Sequence, residues 1–352
     1  MRIAIGPADR AGSIGRPAAA TVVVVVAALL PVLINSPYYQ DLLSQCCIYA
    51  ILALGLNVIF GYAGQLSLGH AGFWGIGAYS SALLTVDLDW PVPAAMLVGM
   101  AISAAAALIL GTVTRNLGSH YLALATLAFT GMVQLILNNT ISLTKGPNGI
   151  SGIPALGIGG LEATTQTQQY YVVLGALLLV AVFCYRWQTS RYGRQAIALK
   201  RSPTAARSLG VNTASVKVVN LVISAIIASL AGTLYAHYVG FISPDVFGFS
   251  ELFKMVTMVI IGGMATTGGP IVGAMLLVFA PEWFRVFADY LQLVYAVLLL
   301  VLILRMPYGI WGLLLRLTTR RRTRLAPPRT GPAGPPSTAA SDVARAEGGA
   351  IT

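Results

Sequence analysis

The sequence predicts an all-α polytopic membrane protein of about ten transmembrane helices (about 8–10), with both termini cytoplasmic. Three observations predict it. The chain is 57% hydrophobic and only 9% charged, with a mean hydropathy of +0.78, whereas about a quarter of a soluble domain's residues are charged. Apolar runs approaching the roughly 20 residues that span a bilayer recur along the whole chain. The charges between those runs fall into two groups of opposite sign.

The runs are 17–34, 41–60, 66–85, 91–113, 121–138, 169–186, 217–238, 252–264, 270–287 and 291–305. The eighth is short and ends in glycine, which reads as a broken or re-entrant helix. With the N-terminus inside, every basic residue except Lys145, Lys254 and Arg285 falls on the inner side. The outer side and its helix ends hold every acidic residue except Asp9, Asp342 and Glu347. Such a split is the positive-inside pattern, so the net charge of +11 is a topology signal and nucleic acid is not an expected partner.

Arg2, Arg10 and Arg16 precede an apolar run that ends Leu33-Ile34-Asn35-Ser36-Pro37 without a small-residue cleavage pattern, so an uncleaved first helix is expected. Three regions follow: an N-terminal cytoplasmic segment 1–16, a transmembrane domain 17–315 and a basic cytoplasmic tail 316–352. The tail is rich in Pro, Ala, Gly and Ser, a composition that does not build a core. Its arginines, from Arg316 to Arg324, read as an anchor against anionic lipid. Cys46, Cys47 and Cys184 all fall inside predicted helices and read as small apolar packing.

No G-x-x-x-x-G-K-[ST], H-E-x-x-H or C-x-x-C is present, so neither nucleotide binding through a P-loop nor a metal centre is expected in this chain. No catalytic constellation is present either, and the chain is not expected to be an enzyme. No acidic residue falls in the middle of a predicted span. An intramembrane carboxylate costs about 2.5–3.5 kcal/mol on insertion scales and usually marks a proton relay, so energy is expected from another subunit.

Residues 55–79 (GLNVIFGYAGQLSLGHAGFWGIGAY) are apolar yet crowded with glycine and dotted with Asn57, Gln65, Ser67 and His70. In lipid such backbone survives only against protein or a wet cavity. The glycines Gly61, Gly64, Gly72 and Gly75 read first as close helix packing, with Gly64, Ser67, Ala71 and Gly75 as a small-residue stripe. Asn57, Gln65, Ser67 and His70 are the candidates for the translocation path, with a satisfied packing role the competing reading for His70. His237, beside Tyr235, Tyr238 and Phe241, reads as interfacial. A second glycine cluster, Gly262, Gly263, Gly268 and Gly269, ends at Pro270 and marks a hinge at a span boundary. The outward loop 139–168 contains KGPNG (145–149) and is long for a connector, which favours function.

The cytoplasmic loop 187–216 is patterned rather than random. Ser202 is an N-cap, Pro203 suits the first helical position, and Gly210 supplies a left-handed stop. Between them lie the small Ala205 and Ala206, flanked by Arg201 and Arg207. A docking helix explains these features; a solvated connector needs none of them. A second short helix over 193–200 precedes it.

These motifs resemble a known family. Residues 55–79 look like the signature of branched-chain amino acid ABC transporter permeases, and within it of the LivM-type subunit. YLALATLAF (121–129), NGISGIP (148–154), LYAHYVGFISPD (234–245) and IGGMATTGGP (261–270) match in order, covering about residues 40–310. The resemblance implies a multi-pass subunit of an importer in the bacterial cell membrane. Its implied partners are a second, LivH-like permease, two cytoplasmic ATP-binding subunits that hold the ATP, an extracytoplasmic solute-binding protein and the lipid bilayer. It also implies that the 187–216 loop docks on an ATPase. Family members commonly carry an acidic residue before the paired alanines, where this chain has Ser202-Pro203, which removes the basis for an electrostatic contact there. Urea and short amides are the alternative substrates within the family. A self-sufficient secondary carrier or channel is the alternative outside it.

Overall fold

A computed structural model of the chain describes residues 25–31, 33, 36–158, 161–163, 165–283 and 310–311. The expected tenth span, the tail and the N-terminal segment lie outside the described residues, and the first span is described only at 25–31 and 33, which are helical.

The elements follow the apolar runs closely. Helix α1 (Pro37–Leu56) continues without a break as a π-helix, Asn57–Tyr62. It is followed by α2 (His70–Val86), α3 (Val92–Thr114), α4 (Ser119–Asn139) and a single turn, α5 (Ile141–Thr144). The short strands β1 (Ile150–Ser151), β2 (Gly157–Ile158) and β3 (Leu161–Glu162) lead to α6 (Gln166–Thr189). Then come α7 (Arg191–Arg201), α8 (Pro203–Ser208), α9 (Thr213–Val239), β4 (Phe241–Ile242), α10 (Phe249–Gly262) and α11 (Gly268–Trp283). Among the described residues, five helices are long and apolar enough to cross a membrane: Pro37–Tyr62, α3, α4, α6 and α9. Helices α2, α10 and α11 are shorter.

Helix α1 is buried from Cys46 through Ile59 on all sides, which a helix tolerates only at the centre of a larger bundle. It packs on α6, α9, α10 and α11, while α9 packs on α2 and α3. Two glycines bring α2 and α9 together. A Cβ on Gly232 would run into Trp74 O, and one on Gly77 into Ser229 O, so only hydrogen fits at either crossing. The outward faces of α3, α4 and α6 are apolar: Ile109, Val113, Leu124, Leu135, Leu179 and Val182 are each more than half exposed. Such a continuous apolar exterior suits a bilayer and not water.

Contacts group the connections at two ends. Lys200 Nζ donates to Gly61 O, Lys217 Nζ to Leu117 O and Asn57 Nδ2 to Thr266 O, which gathers the links after α1, α3, α6 and α10 at one end, the basic end. At the opposite end β1 pairs antiparallel with β4, Ile150 against Ile242, and Lys145 lies 3.8 Å from Asp87. The long loop is therefore structured, with its first strand added to the turn after α9.

Candidate translocation site

The site begins where α1 ends. Gly64 has φ +67, and a Cβ there would lie 2.6 Å from Lys200 Cγ, so glycine is required for both the turn and the close approach. The chain then runs without helix from 64 to 69. Freed backbone must find partners inside a membrane, and α4 supplies them. Thr126 Oγ1 accepts the Leu68 N–H, and Thr130 donates to Leu68 O, both at 2.8 Å. Both threonines lie near the midpoint of α4, so α2 starts half-way across the bundle, not at its surface. The expected span 66–85 is thus a half-inserted helix over 70–86. The expected stripe of Gly64, Ser67, Ala71 and Gly75 does not exist, because Gly64 and Ser67 precede the helix.

The four path candidates behave differently. His70 is buried, with Nε2 2.9 Å from Leu52 O and Nδ1 3.2 Å from Ser224 Oγ, so both ring nitrogens are engaged within the chain. Asn57 bridges to the α10–α11 turn through Ala265 and Thr266. Ser67 Oγ accepts the Gly69 N–H at 3.4 Å. Gln65 is also buried, but neither its Oε1 nor its Nε2 has a partner among the described residues. It lines a small cavity at the basic end with Thr114, Arg115 and Lys217.

The glycines sit at contacts. A Cβ on Gly61 would meet Asn57 Oδ1, one on Gly72 would lie 3.1 Å from Phe129, and one on Gly75 3.2 Å from Phe247. Gly262 faces Gly269 O and Gly269 faces Gly263 O where α10 and α11 cross, and Gly263 has φ +120.

Sequence reasoning misplaced two further features. His237 is 1% exposed and not interfacial: Nε2 lies 2.8 Å from Ser81 Oγ and Nδ1 2.7 Å from Pro154 O. The incoming loop covers it. Of its neighbours, Tyr235 is not in an outer aromatic belt either, since it packs on Trp74, whereas Tyr238 donates to Asp41 Oδ1 near the outer start of α1 and Phe241 is exposed. The second feature is Glu251, expected at an outer helix end. Tyr49 donates to Glu251 Oε2 at 2.9 Å, and Tyr49 lies half-way along the 26-residue span Pro37–Tyr62. A carboxylate therefore does reach mid-depth. The segment 241–248 dips into the bundle, where Phe247 packs 4.7 Å from Trp74, and α10 starts from that depth. The available signal was an acidic residue and a lysine three apart on an apolar run only 14 residues long.

At the basic end, Ser202 Oγ accepts the Ala205 N–H at 3.3 Å, Pro203 opens α8, and Gly210 has φ +78. Ala206 points inward and is buried, whereas Ala205, Arg207 and Leu209 are exposed, Leu209 to 82%. The preceding helix α7 is longer than expected and packs Ala196 and Leu199 against Ala63 and Val216. Burial pulls the pKa of Lys200, which holds Gly61 O, below the usual lysine range. An exposed capped helix is thus joined through α7 to the turn that starts the unwound segment.

Comparison with known proteins places the sequence in a family. The family described as "Branched-chain amino acid transport system / permease component" matches residues 38–306. The chain is 35% identical to the high-affinity branched-chain amino acid transport system permease protein LivM of Salmonella typhimurium, and 34% identical to that of Escherichia coli. In both cases the match covers 77% of this chain and 69% of the relative. It is 28% identical to the LivH permease of Escherichia coli over 75% of this chain and 91% of that one. No solved structure matches. With a family match over residues 38–306 and LivM relatives 34–35% identical over 77% of its length, the chain belongs to the permease component family of branched-chain amino acid transport systems, on its LivM side.

Proposed function

We propose that the chain is one of two membrane subunits of an ATP-driven importer that moves branched-chain amino acids into a bacterial cell. The second membrane subunit is LivH-like, two separate ATP-binding subunits bind the basic, cytoplasmic end, and a solute-binding protein delivers cargo at the opposite end. The observation that carries this reading is the continuity from α8 through α7 and Lys200 to Gly61 and the unwound segment. Force applied at α8 has a short, packed route to the start of α2. Alternating access then tips α2 and the α10–α11 pair about their glycine contacts.

A second reading, a self-sufficient carrier, is favoured by the mid-depth carboxylate of Glu251. Leucine uptake into proteoliposomes separates the two. The importer reading expects uptake only with the ATPase subunits and hydrolysable ATP. Uptake by this chain alone, driven by an ion gradient, would replace it with the carrier.

A further inference from the structure

Helix α10 is two-faced. Leu252, Met255, Met258 and Val259 are buried in the core. The opposite side carries Ser250, Glu251, Lys254 and Thr257, a polar row at helical spacing. Glu251 and Lys254 form an ion pair, with Nζ 3.4 Å from Oε2, and their side chains remain 24% and 27% exposed. Tyr49 fixes the depth of this pair: its hydroxyl binds Glu251, and the Lys254 ammonium lies 4.4 Å from its ring centroid.

One side chain's reach from the midpoint of a span is well inside a hydrocarbon layer about 30 Å thick. Charges at that depth face a bundle interior or a water-filled path, not lipid. Among the described residues the pair stays partly uncovered, which suits a pair bordering a path or the facing subunit. Its chemistry selects the cargo. A carboxylate and an ammonium one helical turn apart complement the α-ammonium and α-carboxylate of an amino acid, which are held on a single carbon. Phe249 and Phe253, exposed at the edge of the same face, offer apolar surface to an aliphatic side chain.

We infer that the Ser250–Glu251–Lys254–Thr257 face of α10 is a cargo-contacting wall of the path, with Glu251 taking the ammonium and Lys254 the carboxylate of a zwitterionic amino acid. This assignment deepens the proposed function and rests on it. A purely structural ion pair, clamping α10 to α1, is the competing outcome.

The test uses the complete complex in proteoliposomes and reads two quantities, ATP-driven leucine uptake and ATP hydrolysis stimulated by loaded binding protein. Glu251→Gln and Lys254→Gln are each expected to lower uptake about tenfold or more, the size of one lost charged hydrogen bond, while stimulated hydrolysis persists. The exchanged pair, Glu251→Lys with Lys254→Glu, restores a salt bridge but is expected not to restore uptake. Unchanged uptake in the single variants, a parallel loss of hydrolysis, or full recovery in the exchanged pair would each overturn the assignment alone. Absence of ATP-driven leucine uptake by the wild-type complex would overturn the importer reading together with it.

Discussion

Asn57 holds Ala265 across 208 residues of sequence: its Oδ1 accepts the Ala265 N–H at 2.9 Å, while its Nδ2 donates to Thr266 O at the same distance. The side chain is fully buried, and Ala265 adopts φ +63, a left-handed conformation that a non-glycine residue holds only when its surroundings enforce it. One amide thus joins the π-helical end of α1 to the turn between α10 and α11. Asn57→Ala removes both hydrogen bonds and leaves the Ala265 N–H and the Thr266 C=O of this part-buried turn without that partner. The expected loss is about 1–3 kcal/mol at roughly 0.5–1.5 kcal/mol per lost hydrogen bond, read as a lower unfolding temperature in detergent. A melting temperature equal to wild type would show that the turn is held by other contacts.

His70 is expected to behave as a packing residue. Leu52 O and Ser224 Oγ engage both of its nitrogens, so little hydrogen-bonding capacity is left for cargo. His70→Leu is expected to destabilise the protein by about 2 kcal/mol through the two lost bonds. Leucine uptake per folded complex should stay within about twofold. A selective collapse of uptake at normal stability would return His70 to the path.

Two glycines make a contrast. Gly232 meets Trp74 O and lies within 2.8 Å of Ala78 N at the virtual Cβ, whereas Gly175 has open space around it. Gly232→Ala forces α9 from α2 and is expected to cost about 1–3 kcal/mol or more. Gly175→Ala, inside α6, is expected to be neutral or to gain up to about 1 kcal/mol from helix propensity. The comparison is read by folded yield and thermal unfolding of the two variants side by side.

The paired alanines of α8 divide the same way. A glutamate at Ala206 must enter a buried pocket, so Ala206→Glu is expected to reduce folded protein in the membrane. Ala205 is exposed, and Ala205→Glu is expected to leave folding intact while lowering ATP-driven uptake about tenfold or more by obstructing the docked surface. Equal expression and equal uptake for both variants would remove α8 from the coupling route.

Much of this was legible from residue order alone. Spans over α1, α3, α4, α6 and α9 follow apolar length, and α8 follows Ser202, Pro203 and Gly210, because caps and stops act over only a few residues. The departures arise where the deciding partner is distant. Leu68 is held by Thr126 and Thr130, 58 and 62 residues and two helices further along the chain, so nothing near residue 68 announced these partners for an unwound start to α2. His237 was hidden by Pro154 and Ser81, each contributed by a different element. Glu251 looked peripheral because hydropathy counts residues from a presumed surface, whereas α10 starts inside. Gln65 alone of the four path candidates keeps both polar atoms without partners among the described residues, and no local pattern separated it from Ser67.

The most direct measurement of energy supply is a cysteine placed on the exposed side of α8. The native Cys46, Cys47 and Cys184 are buried and do not compete for a surface cross-linker. Ala205→Cys in the assembled complex, paired with cysteines on the ATPase surface, is expected to give a disulfide cross-link that stops ATP-driven leucine uptake and releases it on reduction. No cross-link at any ATPase position, together with leucine uptake by this chain in the absence of ATPase subunits, would contradict an importer driven through α8.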